Sequence, residues 1–118
     1  MKLTWQDVNN YVSRVANIVK DRQLSGVYGI PRGGLVLAVM LSHKLNIPLL
    51  SAPADKCLVV DDICDSGETL LHICKNTSGK KQDIFITTMA FKRNDFHIVP
   101  HFWYVEKCDE WVVFPWEE

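Results

Sequence analysis

The densest concentration of reactive groups lies in VVDDICDSGETL, residues 59–70, where Asp61, Asp62, Asp65 and Glu68 share a short stretch with the hydroxyls of Ser66 and Thr69. Ser66, Gly67 and Thr69 stand where a helix would start. Hydroxyls, a tight bend and free backbone N–H groups there make a nest for a terminal phosphate. Carboxylates around such a nest would repel a bare phosphate, but they suit a ligand that also brings a divalent cation or a diol. The plainer reading, an N-cap with solvated acids, does not explain why the acids directly follow the wholly apolar run from Cys57 to Val60.

A second loop, GIPRGG at residues 29–34, follows another short apolar run. Its glycines let backbone approach an anion closely, and Arg32 adds a fork of donors matched to phosphate. Taken alone, this loop reads rather as a tight strand-to-helix turn with an exposed arginine. Other anion and metal motifs fit worse. No lysine follows a glycine at P-loop spacing, GxGxxG is absent, and Ile63 and Cys64 fall where a calcium loop needs oxygen ligands.

The elements that must position these loops alternate. Thr4 can cap a first helix, with Asp7 three residues on and Val8, Tyr11, Val12, Val15, Ile18 and Val19 at helical spacing. Gly26–Ile30 reads as a strand and Leu35–Leu45 as a buried helix stopped by Asn46. Ile47–Ser51 and Cys57–Val60 read as strands, Glu68–Asn76 as a helix ended by Gly79, and Ile84–Met89 as a strand. Strands alternating with helices predict an α/β fold, a parallel sheet covered on both faces, whose ligands bind beyond the carboxyl ends of the strands. Trp103, Tyr104, Trp111, Phe114 and Trp116 crowd the tail, which reads as an aromatic flap on the sheet in preference to another crossover unit.

At 118 residues the chain suffices for one domain, residues 1–118, and is too short for a (β/α)₈ barrel. A formal net charge of −1 excludes a global basic field, so no nucleic-acid partner is expected. The longest apolar run, Leu35–Leu41, is too short to cross a membrane. The start MKLTWQDVNNYV lacks a secretory apolar stretch, which points to the cytoplasm. Cys57, Cys64, Cys74 and Cys108, without CxxC spacing, read as structural thiols, and His72, His97 and His101 as surface residues without metal spacing.

VVDDICDSGETL resembles the signature of the type I phosphoribosyltransferases: an apolar strand, two acids, a third acid, then a hydroxyl residue, glycine and threonine. GIPRGGLVLAVMLSHKLNIP is similar to that family's pyrophosphate loop and following helix, most closely in xanthine-guanine and related 6-oxopurine enzymes. ITTMAFKRND and EWVVFPWEE resemble their base-binding segments. The similarity runs from about Val27 to the C-terminus.

The resemblance implies roles position by position. Arg32, Gly33 and Gly34 would hold the pyrophosphate of phosphoribosyl pyrophosphate (PRPP), and Asp61 and Asp62 the ribose hydroxyls, with magnesium bridging diol and pyrophosphate. Asp65, Ser66, Gly67, Glu68 and Thr69 would surround the 5′-phosphate, and Asp65 would also act as general acid/base at the purine N7. Lys92 would donate to the 6-oxo group, Trp111 stack on the base, and Val112 meet its edge through main chain. Glu117 stands where relatives carry an acid near a second metal. Outside that context Lys92 would be a solvated strand-end lysine, and Trp5 and Trp103 keep their reading as core or interface residues. Exposed aromatics and a short chain point to a homodimer or higher homo-oligomer.

The pattern departs from the family in one main place. A long mobile loop closes over the site in the enzymes it resembles, whereas only residues 52–56 lie between Ser51 and Cys57 here. Ser66 replaces the usual threonine, and Glu68 adds a carboxylate where many relatives have glycine or lysine. Two readings follow: a minimal purine phosphoribosyltransferase, or a catalytically weak PRPP- or nucleotide-binding regulatory module. Asp65, Lys92 and Trp111 favour the enzyme, and the missing lid favours the binder.

Overall fold

The computed structural model describes residues 1–76, 83–94 and 99–117. Gly79 and His97 lie outside the described residues, as does the side chain of Cys74. Helix α1 (Trp5–Val19) starts at Thr4, whose hydroxyl accepts from Asp7 N–H while the Asp7 carboxylate accepts from Thr4 N–H. This reciprocal capping box satisfies two donors that the first helical turn leaves without partners. Val8, Tyr11, Val12, Val15 and Val19 are buried, whereas Ile18 points outward and is exposed. Burying each of these valines contributes about 1.5–3 kcal/mol.

Strand β1 (Val27–Gly29) leads through the arginine loop into α2 (Leu35–Leu45), which ends at Asn46 in the left-handed conformation with φ 54°. Strand β2 is shorter than the expected 47–51 and comprises only Leu49–Leu50. Ile47 instead closes the turn after α2: its N–H donates to the Ser42 carbonyl, and Ser42 Oγ donates to the Ile47 carbonyl. Strand β3 (Leu58–Cys64), helix α3 (Glu68–Asn76), strand β4 (Phe85–Phe91) and strand β5 (Phe102–Glu106) complete the body, with a 3₁₀ turn at Pro115–Glu117.

The five strands are parallel in the order β2-β1-β3-β4-β5. Strand order therefore reverses between β1 and β3, the crevice where open α/β sheets bind ligands. Side chains alternate across the sheet. Leu58 and Val60 join α1 and α2 in one core, whereas Val59 joins Leu70 and Ile73 of α3 in another on the opposite face. Tyr11, wholly buried, pairs its hydroxyl with Thr87 Oγ1 at 2.9 Å, and Thr87 Oγ1 donates to the Phe102 carbonyl.

The tail is not all flap. Residues 102–106 form β5, hydrogen-bonded to β4, so Trp103 and Tyr104 belong to the sheet, and only the segment after it lies as a flap. The run FWYVE is half-buried on both faces and shows no polar alternation, so its strand character was hidden among the other aromatics. Likewise β3 does not stop at Val60. It continues through Asp61–Cys64 because β4 supplies partners as far as Phe91.

The connection between β2 and β3, residues 51–57, carries no helix and no long loop. Val27 of β1 faces both Leu49 and Leu58, so β2 barely rises before the chain returns to the same level for β3. The short lid segment expected from the sequence is thus a low turn at the opposite end of the strands from the acids.

Candidate active site

The site grows from a mismatch in strand length. β1 pairs with β3 only as far as Gly29 opposite Val60, with one further bond from Ile30 N–H to the Val60 carbonyl. Beyond that point β3 is paired on its β4 side alone. Asp61 and Asp62 therefore line the rim of the crevice, and each carboxylate accepts from the next backbone N–H, Asp62 and Ile63 respectively, at 2.8 Å.

On the β1 side, Gly34 N–H donates to the Ile30 carbonyl at 2.8 Å, and α2 begins directly afterwards. The Pro31–Arg32 peptide is cis. A Cβ on Gly34 would strike the Val60 carbonyl, and one on Gly33 would strike the Asp62 carboxylate. Gly34 is thus required by the closeness of the loop to the β3 backbone, whereas at Gly33 it is the Asp62 side chain that would have to move. An open pocket of about 530 Å³ lies here, lined by Arg32, Gly33, Asp62, Trp116 and Glu117. Glu117 also accepts from Phe114 N–H at 2.8 Å, which closes the last turn of the chain.

On the other side of Asp62 lies a second pocket of about 230 Å³, bounded by Asp61, Asp62, Asp65, Ser66, Gly67 and Thr69 together with Ile63, Cys64 and Leu70. Gly67, at φ 83°, makes the bend that starts α3, and Ser66 Oγ accepts from Glu68 N–H at 3.2 Å. Glu68 itself is exposed and does not line the pocket. Asp62 is the wall shared by both cavities.

The base-side residues named from sequence are placed by β4 and the tail. Lys92 follows β4, its N–H donating to the Cys64 carbonyl, and its ammonium lies 3.9 Å from Asp65 Oδ1 and 3.1 Å from Asp109 Oδ1. Trp111 is 80% exposed, whereas the next side chain, Val112, is buried in the core. The flap is tied to the start of the chain: Leu3 N–H donates to the Val113 carbonyl, and Val113 N–H to that of Met1, both at 2.9 Å. Phe114 and Trp116 stack at 5.0 Å, with Trp5 6.2 Å from Trp116.

Lys107 escaped the sequence reading. Its side chain is only 8% exposed, yet its ammonium lies 3.8 Å from Asp65 Oδ2. It directly follows β5 as Lys92 directly follows β4, and its N–H donates to the Phe91 carbonyl. Without β5 there was no reason to bring it to the site.

The acids are electrostatically uneven. Burial, then the hydrogen bond with Asp62 and its charge, pushes the Asp61 carboxyl up to about 8. Burial, followed by the charges of Asp61 and Asp65, raises the Cys64 thiol to about 11, so it stays protonated. The hydrogen bond and charge of Asp109, then the charge of Asp65, hold the Lys92 ammonium above its ordinary range.

No family model matches the chain. The xanthine-guanine phosphoribosyltransferase of Idiomarina loihiensis is 25% identical over 141 aligned positions, covering 98% of this chain and 85% of that protein. The crystal structure of a purine phosphoribosyltransferase from Pyrococcus horikoshii superposes with a TM-score of 0.82 and is 30% identical, covering 100% of this chain and 94% of that one. The Helicobacter pylori xanthine-guanine-hypoxanthine phosphoribosyltransferase, 20% identical over 98% of this chain and 92% of its own, shares the fold with a TM-score of 0.76.

Proposed function

The chain belongs to the type I phosphoribosyltransferases, as a purine phosphoribosyltransferase, and we propose that it transfers the 5-phosphoribosyl group of PRPP to a 6-oxopurine: guanine, xanthine or hypoxanthine. The products are a nucleoside monophosphate and pyrophosphate. One observation carries this reading: two pockets, one at the arginine loop and one at the start of α3, open on either side of Asp62, and Lys92 reaches Asp65 from the next strand.

In this reading Arg32, Gly33 and Gly34 hold the pyrophosphate, Asp61 and Asp62 the ribose hydroxyls, and Asp65, Ser66, Gly67, Glu68 and Thr69 the 5′-phosphate, Glu68 through main chain. Among the described residues no three His, Cys, Asp or Glu side chains converge to hold an ion by themselves. Asp61, Asp62 and Glu117 nevertheless offer hard carboxylate oxygens. Magnesium is commonly held by one or two carboxylates plus substrate phosphates, so these residues fit an ion that arrives with PRPP. Bound there, magnesium supplies charge neutralisation of the leaving pyrophosphate.

Cleavage at ribose C1 builds positive charge on the sugar and negative charge on the leaving group, so fixed charges do most of the work. Arg32 stabilises the departing pyrophosphate. Asp65 takes the N7 proton as purine N9 attacks C1, Lys92 donates to the 6-oxo group, Trp111 stacks on the ring, and the Val112 main chain meets its edge. The chain acts as one domain, residues 1–118, in the cytoplasm, in keeping with the thiols of Cys57 and Cys108, which form no disulfide among the described residues, and as a homo-oligomer joined through exposed aromatics such as Trp5. No helix among the described residues is long and apolar enough to cross a membrane.

The test is incubation with PRPP, magnesium and each purine in turn, followed by chromatography. A monophosphate from at least one 6-oxopurine is expected. None at high enzyme concentration would overturn the proposal.

A further inference from the structure

We propose that Lys107 is a positioning residue for Asp65, holding its carboxylate in place while Lys92 turns to the incoming base; this rests on the function proposed above. The two ammoniums address opposite oxygens of Asp65, Lys92 at 3.9 Å from Oδ1 and Lys107 at 3.8 Å from Oδ2. They are not equivalent. Lys92 is about one-third exposed, is shared with Asp109, and must also serve the 6-oxo group of the purine. Lys107 is 8% exposed and has no other ionic partner among the described residues.

The backbone makes the arrangement rigid. Cys64 pairs with Phe91 and Phe91 with Glu106, so β3, β4 and β5 end level with one another. Asp65, Lys92 and Lys107 each follow one of those ends. A buried lysine is costly unless its charge is met, so Lys107 keeps its ammonium on Asp65 when Lys92 leaves. The 5′-phosphate brought in beside Asp65 adds a like charge, which makes a retained counter-ion more necessary.

The test is a kinetic cycle on the full chain with Lys107→Met, Lys107→Arg, Asp65→Asn and the Asp65→Asn/Lys107→Met double variant. Lys107→Met keeps the apolar stem and removes the charge. It is expected to lower kcat by about tenfold to a hundredfold, with the KM for PRPP little changed, as a misplaced catalytic group does. Lys107→Arg is expected to recover most of that loss. In the Asp65→Asn background Lys107→Met should cost almost nothing, since residues acting as a unit are non-additive. Should Lys107→Met not fold, Lys107→Gln against Lys107→Arg carries the same comparison. An active wild type whose Lys107→Met variant keeps full kcat, or loses as much with Asp65→Asn as without, overturns the role of Lys107. An inactive wild type overturns the assignment of function instead.

Discussion

Lys92 Nζ stands closer to Asp109 Oδ1, at 3.1 Å, than to Asp65 Oδ1, at 3.9 Å. The ammonium assigned to the purine is therefore engaged by an acid that is itself 94% exposed. A base that accepts from Lys92 must compete with Asp109. Asp109→Ala should lower the KM for the purine by roughly threefold, the scale of one exposed ion pair, with kcat unchanged. The difference should shrink as salt screens the pair. Steady-state kinetics at low and high ionic strength check this, and a raised KM in the variant would mean that Asp109 helps to hold the base.

Asp65→Asn preserves shape and removes the proton acceptor. Turnover should fall by about 10²–10⁴, the usual contribution of a general acid or base, while PRPP affinity changes little. Kinetics and calorimetry on the same preparation separate the two effects. Full turnover in the variant would remove Asp65 from the chemistry.

Gly33→Ala tests the contact between the two loops. The new Cβ meets the Asp62 carboxylate, the mobile end of a rim side chain, and not backbone. Asp62 can swing away at small cost, so the melting temperature should barely move. PRPP binding should suffer by about 1.5–3 kcal/mol, the loss of one hydrogen bond to a charged group. That corresponds to about tenfold to a hundredfold in Kd by calorimetry. A large fall in stability with unchanged affinity would show that the glycine serves packing alone.

What the sequence made legible was local. The limits of α2 follow from an apolar run set between Gly34 and Asn46, and the capping box of α1 from the spacing of Thr4 and Asp7. The short lid segment was visible as the spacing between Ser51 and Cys57. What escaped depends on pairing between distant segments. Asp61 is in a strand only because Thr88 stands opposite it. Lys107 reaches Asp65 only because β5 joins the sheet beside β4, and the flap is fixed by Leu3, a residue with no chemical signature.

Asp61 sets stability against function. Its carboxyl is raised from an ordinary value of 3.8 to about 8 in the folded protein, chiefly by burial. A raised folded-state pKa means that the protonated form favours folding. That contribution is fully present below the unfolded value near 3.8 and is lost as pH rises through about 8. Asp61→Asn keeps the shape and a neutral side chain at every pH, so its melting temperature should exceed that of the wild type increasingly as pH rises from 3.8 to about 8, as ~1.4 kcal/mol per pKa unit accumulates, and by a constant margin above that. The same variant should lose PRPP affinity, because the ribose hydroxyls no longer meet a carboxylate there. In the wild type, binding that needs the ionised pair should expel a proton near neutral pH, read as a dependence of calorimetric heat on the ionisation enthalpy of the buffer. Thermal melts that run parallel in the two proteins across this range would show that the Asp61 carboxyl is already ionised in the free protein.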